Sequence, residues 1–460
     1  QLGNATGDTL TFNGGLTTTG VAGTVTLQGT IATSNDAIFL GAVTLASATT
    51  VDTNATSTTG DMIIGAVTGG NNTLTLSTGN NVANASITAE SAISGVTTLT
   101  LSDVGGTAIL SADVDVTTLT VGNTVANVAF TGNGSTVVNA VAFANDGTLT
   151  LGTSGGQQNY NGGLTTTGVG GTVTLAGSID SSDDVMTFGA ITLAAATTLD
   201  TNANFIGDTT IGAVTGNNNN LTLDTTTTTG RASHTLTGDI NLGTGRLLVR
   251  GDVVLGANIS ITGTPSSGFG IRFNDKVNAD DATNNDRTLT LDSGVNSSIR
   301  ADHKIGDSQP LAGLTVAQSR NADFRNVVDV TDSNAGTITI TDTANGRNIV
   351  FRGTTTVDSF VTTTEGYDIF FFGDTTIANA VTFQNGGTLD LGNGTNDDIT
   401  FNGGMTENSG GNVTIDGAII SSDDAISFGN VRFGQSTSIT SAGGAISIGN
   451  ITGTGNDRDV

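Results

Sequence analysis

Ala425-Ile426-Ser427-Phe428-Gly429-Asn430-Val431 returns a short way on as Ala445-Ile446-Ser447-Ile448-Gly449-Asn450-Ile451. In both copies an alternating polar and apolar stretch is interrupted by Gly and Asn. Equivalent glycines elsewhere, Gly41 to Gly65 and Gly189 to Gly212, keep a spacing only slightly longer. Inside these units Thr24-Val25-Thr26-Leu27 and Thr73-Leu74-Thr75-Leu76 alternate in the same way. Period two puts one row of side chains inward and the Thr row outward. Gly, Asn and Asp supply the positive φ that sharp corners need. A unit of about 20–24 residues, holding two or three short strands and corners, is one coil of a parallel β-solenoid. A propeller blade needs roughly 40 residues and four strands, which is too long. Stacked sandwiches also alternate, but here the same apolar pattern returns at the same coil position, as stacking of like on like requires. Roughly 21 such coils, about 4.8 Å apart, predict a rod on the order of 100 Å long.

Working outward, the coils group into longer repeats. Asn13-Gly14-Gly15-Leu16-Thr17-Thr18-Thr19-Gly20 recurs unchanged as Asn161-Gly162-Gly163-Leu164-Thr165-Thr166-Thr167-Gly168, and altered as Asn402-Gly403-Gly404-Met405. Tails follow each copy: Gly65-Ala66-Val67-Thr68-Gly69, Gly212-Ala213-Val214-Thr215-Gly216 and Gly449-Asn450-Ile451-Thr452-Gly453. The later two copies share upstream text as well, Asn139-Ala140-Val141-Ala142-Phe143 against Asn379-Ala380-Val381-Thr382-Phe383.

Composition agrees with an all-β chain. Among 460 residues, charged residues are 12% and aromatics 4%, with 66 Gly, two Pro and neither Cys nor Trp. A disordered chain would be rich in Pro, Lys and Glu. Collagen is excluded because Gly has no three-residue period. Long helices are disfavoured by the abundance of Thr, Gly, Asn and Val. The net charge of −27, with no Lys or Arg in residues 1–230, argues against nucleic acid and anionic membranes as partners. No apolar run of about 18 residues offers a membrane span. The lack of Cys fits a bacterial exported protein, and any signal peptide lies outside this chain.

Phe188-Gly189-Ala190-Ile191-Thr192-Leu193, Ile211-Gly212-Ala213-Val214-Thr215-Gly216 and Gln309-Pro310-Leu311-Ala312-Gly313-Leu314-Thr315-Val316 resemble the giant β-strand-repeat adhesins of bacterial surfaces. Those proteins are related to filamentous haemagglutinins and autotransporter passengers. The resemblance covers nearly the whole chain, and its motifs are specific to architecture and not to a ligand. It implies a secreted or surface-anchored right-handed β-helix that serves as a stalk or fibre. No haemagglutinin secretion domain or autotransporter barrel is evident, so the export route stays open.

Charge divides the chain into three zones. Residues 1–230 read as regular acidic coils, with 15 acids and no bases. Residues 231–352 hold twelve of the fourteen basic residues against thirteen Asp, a net of −1. This zone reads as coils bearing loops, the clearest being Asn278 to Asp286. Its ion pairs are expected to be surface pairs of little energetic worth. Residues 353–460 read as regular coils again, the start of a further long repeat.

Chemical motifs are sparse. His234 and His303 are the only His, and neither is near a nucleophile motif. There is no Gly-x-Ser-x-Gly elbow, P-loop or His-Glu-x-x-His. Carbohydrate-cleaving β-helices use clustered carboxylates. Asp183-Asp184 and Asp423-Asp424 are pairs at equivalent repeat positions, each after two Ser, and turn residues recur in this way whereas catalytic sites seldom do. No cofactor is required on this reading. The same pairs are candidate ligands for calcium, which wants six to eight oxygens. The first copy has Ser34-Asn35-Asp36 there, which favours a solvated turn. Asp280, Asp281 and Asp286 form a second calcium candidate.

Arg250-Gly251-Asp252 spells the tripeptide that integrins read, set between Leu247-Leu248-Val249 and Val253-Val254-Leu255. A strand corner is the simpler account. Thr-x-Thr ladders also occur on ice-binding solenoids, but coil lengths here are irregular. Ile369-Phe370-Phe371-Phe372 is the one aromatic run, and its sister is Val128-Ala129-Phe130-Thr131. Transferred parity puts Ile369 and Phe371 inside and leaves Phe370 and Phe372 exposed, as a contact for another subunit or a glycan.

Both chain ends resemble interrupted coils. Gln1 to Phe12 parallels Asp390 to Phe401, and Asn456-Asp457-Arg458 resembles Asn285-Asp286-Arg287 before a strand. Open ends without capping helices, joined to own copies or adjoining repeats, are therefore expected. Together these readings favour a non-enzymatic extracellular rod on a bacterial cell surface that adheres to host or community glycans or proteins. A self-assembling filament, sheath or surface-layer subunit is the alternative, and a carbohydrate-binding or carbohydrate-cleaving β-helix a weaker one.

Overall fold

The computed structural model describes residues 1–56, 60–79, 84–202, 206–225, 232–280, 287–331, 335–434 and 437–453. It is a parallel β-solenoid of about 18 turns. No α-helix occurs among the described residues, and so none is long and apolar enough to cross a membrane. The chain divides into two units: Gln1–Thr215 with Asp224–Ala232, and Gly216–Leu223 with Ser233–Val460. Residues 454–460, which carry the expected continuation at the C-terminal end, lie outside the described residues.

In the first unit Val25–Thr33, Val43–Asp52, Val67–Ser77, Ile93–Ser102 and Val114–Val121 stack as parallel rungs. Like sits on like: Ile31 pairs with Val51, Val51 with Leu76, Leu76 with Leu101 and Leu101 with Val121. All five are buried, with no more than 5% of their surface exposed. The alternating partners, such as Thr30, Thr50 and Thr75, point away from them.

The repeated Asn-Gly-Gly motif is a corner. Gly15, Gly163 and Gly404 have φ of 83°, 93° and 82°. A Cβ there would lie 3.0, 2.5 and 2.7 Å from the carbonyl oxygens of Ala37, Val185 and Ala425 in the next coil. Both constraints demand glycine. The following residue, Leu16, Leu164 or Met405, then donates its amide to that same carbonyl and rejoins the ladder.

Coil length varies more than the repeat spacing suggested. Val413 pairs with Val431 across a short coil, while Ile259 pairs with Leu289 across a far longer one. Corners absorb the difference because only the rungs must stay in register. The longer coils account for about 18 turns where roughly 21 were expected. Some Thr and Ser also depart from the outward assignment. Thr33, Thr53 and Thr78 are fully buried at successive corners. Each satisfies its hydroxyl on a carbonyl of the next coil: Thr53, Thr78 and Asp103 respectively.

In the second unit an inward column runs through Val249, Phe273, Ala301, Phe324, Phe351, Phe371, Leu391, Ile415 and Phe433. The rings of Phe324, Phe351 and Phe371 lie nearly parallel, with centroids 5.1 and 5.2 Å apart. Phe360 packs edge-on against Phe351 and Phe371. A second face is built by Val328–Val330, Thr355–Val357, Thr375–Ile377, Asp398–Phe401, Ala418–Ser421 and Ser438–Ser441, again all parallel. Rungs on either side of residue 352 pair without interruption.

Candidate functional site

The reverse side of the phenylalanine column carries charged, polar and aromatic side chains together. One outward row passes through Arg272, Arg300, Asp323, Val350, Phe370, Asp390, Thr414 and Arg432, each paired with the next in register. Residues two further along each strand point the same way. That second row contains Asp302, Arg325, Arg352 and Phe372.

Charges in the two rows interlock. Arg272 donates to Asp302 at 2.9–3.0 Å, and Arg300 pairs with the same carboxylate. Arg325 stands 3.7 Å from Asp302 and donates to Asp323 at 2.9 Å. Arg352 closes the series on Asp323. Four guanidiniums therefore share two carboxylates, an excess of two positive charges on a chain of net charge −27. The Asp side chains are 18–20% exposed, whereas Arg272, Arg325 and Arg352 are 35–45% exposed.

Aromatic rings flank this strip. Phe269 is 38% exposed, with the guanidiniums of Arg300 and Arg272 at 5.6 and 6.0 Å from its centroid. Simple alternation with Ile271 and Phe273 would bury it. A register shift between Phe269 and Ile271 turns it outward instead. Gly270 permits the shift, since a Cβ there would lie 2.1 Å from the Gly263 carbonyl oxygen. Between Phe269 and Arg352 lies a groove of about 260 Å³, bordered by Ser298, Asn321, Asp323 and Asn348.

At the other end Phe370 and Phe372 keep the predicted parity, with Ile369 and Phe371 fully buried. The two rings are half-buried and not exposed as expected. They cover each other at 5.5 Å, tilted by 58°, and Arg352 sits 5.9 Å above Phe372. Phe370 borders a further groove of about 390 Å³ with Asp390, Asn412, Thr414, Asn430 and Arg432. Burial raises the Asp390 carboxyl above the usual carboxylate range, against a lowering hydrogen bond from Thr414.

The acidic sequence candidates do not join this face, whereas Arg250 stands at the start of its second row, in register with Asn274 and Asp302. Asp183 is a corner residue with φ 67°, and its carboxylate accepts from the Ile206 amide at 3.1 Å. Asn35, one long repeat earlier, has φ 70° and accepts from the Thr56 amide at 2.7 Å. In all three copies a hydroxyl, on Thr33, Ser181 or Ser421, donates to the backbone carbonyl of Asp36, Asp184 or Asp424. Ser422 reaches the carboxylates of both Asp423 and Asp424 at 3.4 Å. Asp280 receives a two-pronged contact from Arg287, while Asp281 and Asp286 lie outside the described residues. No three acidic or His side chains converge among the described residues.

Arg250-Gly251-Asp252 is a half-buried corner between Leu247–Arg250 and Asp252–Leu255. Gly251 has φ 110° and donates to Asp275, and Asp252 accepts from the Lys276 amide at 3.2 Å. Sequence reasoning noticed the basic zone but missed Phe269 and the arginine row. Their signal was register, which no short motif encodes. Among known proteins, no family model, curated protein or solved structure matches this chain.

Proposed function

We propose that the chain is a non-enzymatic structural and adhesive segment of a bacterial surface adhesin or fibre, working outside the cell and touching its partner through the arginine–phenylalanine face. The observation that carries this reading is the Phe370–Phe372 pair, two large rings on the outward side of a rung whose inward side is already filled. A fully buried Phe is worth roughly 1.5–3 kcal/mol, and half-buried rings keep part of that gain for a partner. The stacked rungs beneath hold the rings in a fixed plane, which reduces the ordering cost of contact. The acidic, cysteine-free composition fits export.

Replacing both rings, Phe370→Thr with Phe372→Thr, tests the reading. The circular dichroism spectrum and melting temperature should stay close to the parent, while attachment of the protein to intact cells or glycan-coated surfaces should fall. Collapse of the fold would return the rings to the core and remove the argument. Regular polymers of the parent protein in electron micrographs, lost in the double variant, would replace adhesion by self-assembly.

A further inference from the structure

We infer that the strip Phe269–Arg272–Arg300–Arg325–Arg352 binds a linear acidic saccharide, one whose carboxylates repeat along the chain. The inference deepens the adhesive reading by naming the class of ligand, and rests on it for biological sense. Three observations support it.

The first is the donor balance. Four guanidiniums carry about twenty N–H donors, while two carboxylates offer about eight acceptor sites. Asp302 and Asp323 hold the guanidiniums in position but cannot saturate them. The surplus N–H groups lie on side chains that are up to 45% exposed. Planar forks of this kind favour carboxylates bound through two hydrogen bonds.

The second is spacing. Arg272, Arg300, Arg325 and Arg352 come from four successive rungs. Rungs repeat about every 4.8 Å, so the strip offers one guanidinium per rung over about 14 Å, with Arg272 and Arg300 in the first row and Arg325 and Arg352 in the second. A polymer with regularly spaced charges can follow such a surface along the stack. A compact anion would use one or two of these positions and leave the rest idle.

The third is the flanking chemistry. Phe269 presents an apolar plate at one end, suited to the C–H face of a sugar ring. Asn321, Asn348 and Ser298 border the groove beside it and can hydrogen-bond hydroxyls.

The test uses the whole chain and oligogalacturonides as the probe, with their methyl esters and poly-glutamate as controls, followed by calorimetry at two salt concentrations. Oligogalacturonides should bind, weaken as salt rises, and lose roughly tenfold or more in affinity in Arg325→Gln with Arg352→Gln, which removes charged hydrogen bonds to the ligand. Methyl esters should not bind. The Phe269→Ala variant, which removes the ring and leaves the arginine–aspartate pairs standing, should weaken binding without changing its salt slope. No binding by the parent, equal binding of poly-glutamate, or undiminished affinity in the folded double-arginine variant would each overturn the inference. Attachment to cells without oligogalacturonide binding would sink this inference alone. Saccharide binding without attachment would sink only the adhesive reading.

Discussion

Asn35 and Asp183 hold the same corner one long repeat apart, both at positive φ, both accepting a backbone amide through a side-chain oxygen. A neutral amide oxygen serves there as well as a carboxylate. The position therefore selects for left-handed backbone tolerance and one acceptor, not for charge. Asp183→Asn should leave stability within about 0.5 kcal/mol of the parent, whereas Asp183→Ala should cost about 1–2 kcal/mol through its backbone alone. Thermal melts in chelator and in millimolar Ca²⁺ check both. A calcium-dependent rise in the parent that Asp183→Asn abolishes would make the residue a ligand. These turn residues were legible in the sequence because the motif recurs. The buried hydroxyls of Thr33, Thr53 and Thr78 were not. A Thr on the solvent row and a Thr turned into a corner look alike until the next coil's carbonyl is in place.

Among elements, the rings of Phe324, Phe351 and Phe371 stack nearly parallel through three rungs of the second unit. Phe351 touches rings above, below and beside it. Phe351→Ala should cost about 3–5 kcal/mol, because rungs locked in register cannot collapse into the cavity. Denaturant titration of the variant measures this, and a loss below about 1 kcal/mol would mean that the rungs do relax. Inward parity at Ile369 and Phe371 could be read from the sister strand. Which ring lies on which could not, since the coil from Phe324 to Phe351 is longer than the coil from Phe351 to Phe371. The same irregular coil lengths bring Arg272, Arg300, Arg325 and Arg352 side by side. Phe269 escaped the parity argument altogether because a bulge at Gly270 reverses its direction.

Over the whole molecule, charge sets the response to pH. At −27 the folded chain repels itself, and acidification relieves that repulsion. Burial raises the carboxyls of Asp180, Asp329 and Asp390. Groups raised in the folded state contribute stability that is complete below the ordinary value of 3.8 and lost as pH climbs through the raised value. Asp307 works in the opposite direction. Hydrogen bonds from Lys276 and Lys304 lower it to about 2, so its contribution holds above 3.8 and fades as pH falls toward 2. The melting temperature should accordingly rise or hold as pH falls from about 7 toward 3.8 and fall only below about 3.8. Scanning calorimetry across this range is the check, with a steady decline from neutral pH downward as the contrary result. Asp180→Asn should flatten the upper part of the curve.

The register of the rungs also has a mechanical consequence. Among the described residues each rung is paired with the rung one coil before it and the rung one coil after it. Tension applied along the chain peels such a stack from an end, one coil at a time, and does not have to break the whole ladder at once. A released coil of about 20 residues extends to about 70 Å, many times the single rung spacing it gave up. The molecule thereby lengthens in steps under load and can rewind when the load drops. Sudden load on such a stack is therefore taken up coil by coil and not by the whole ladder at once.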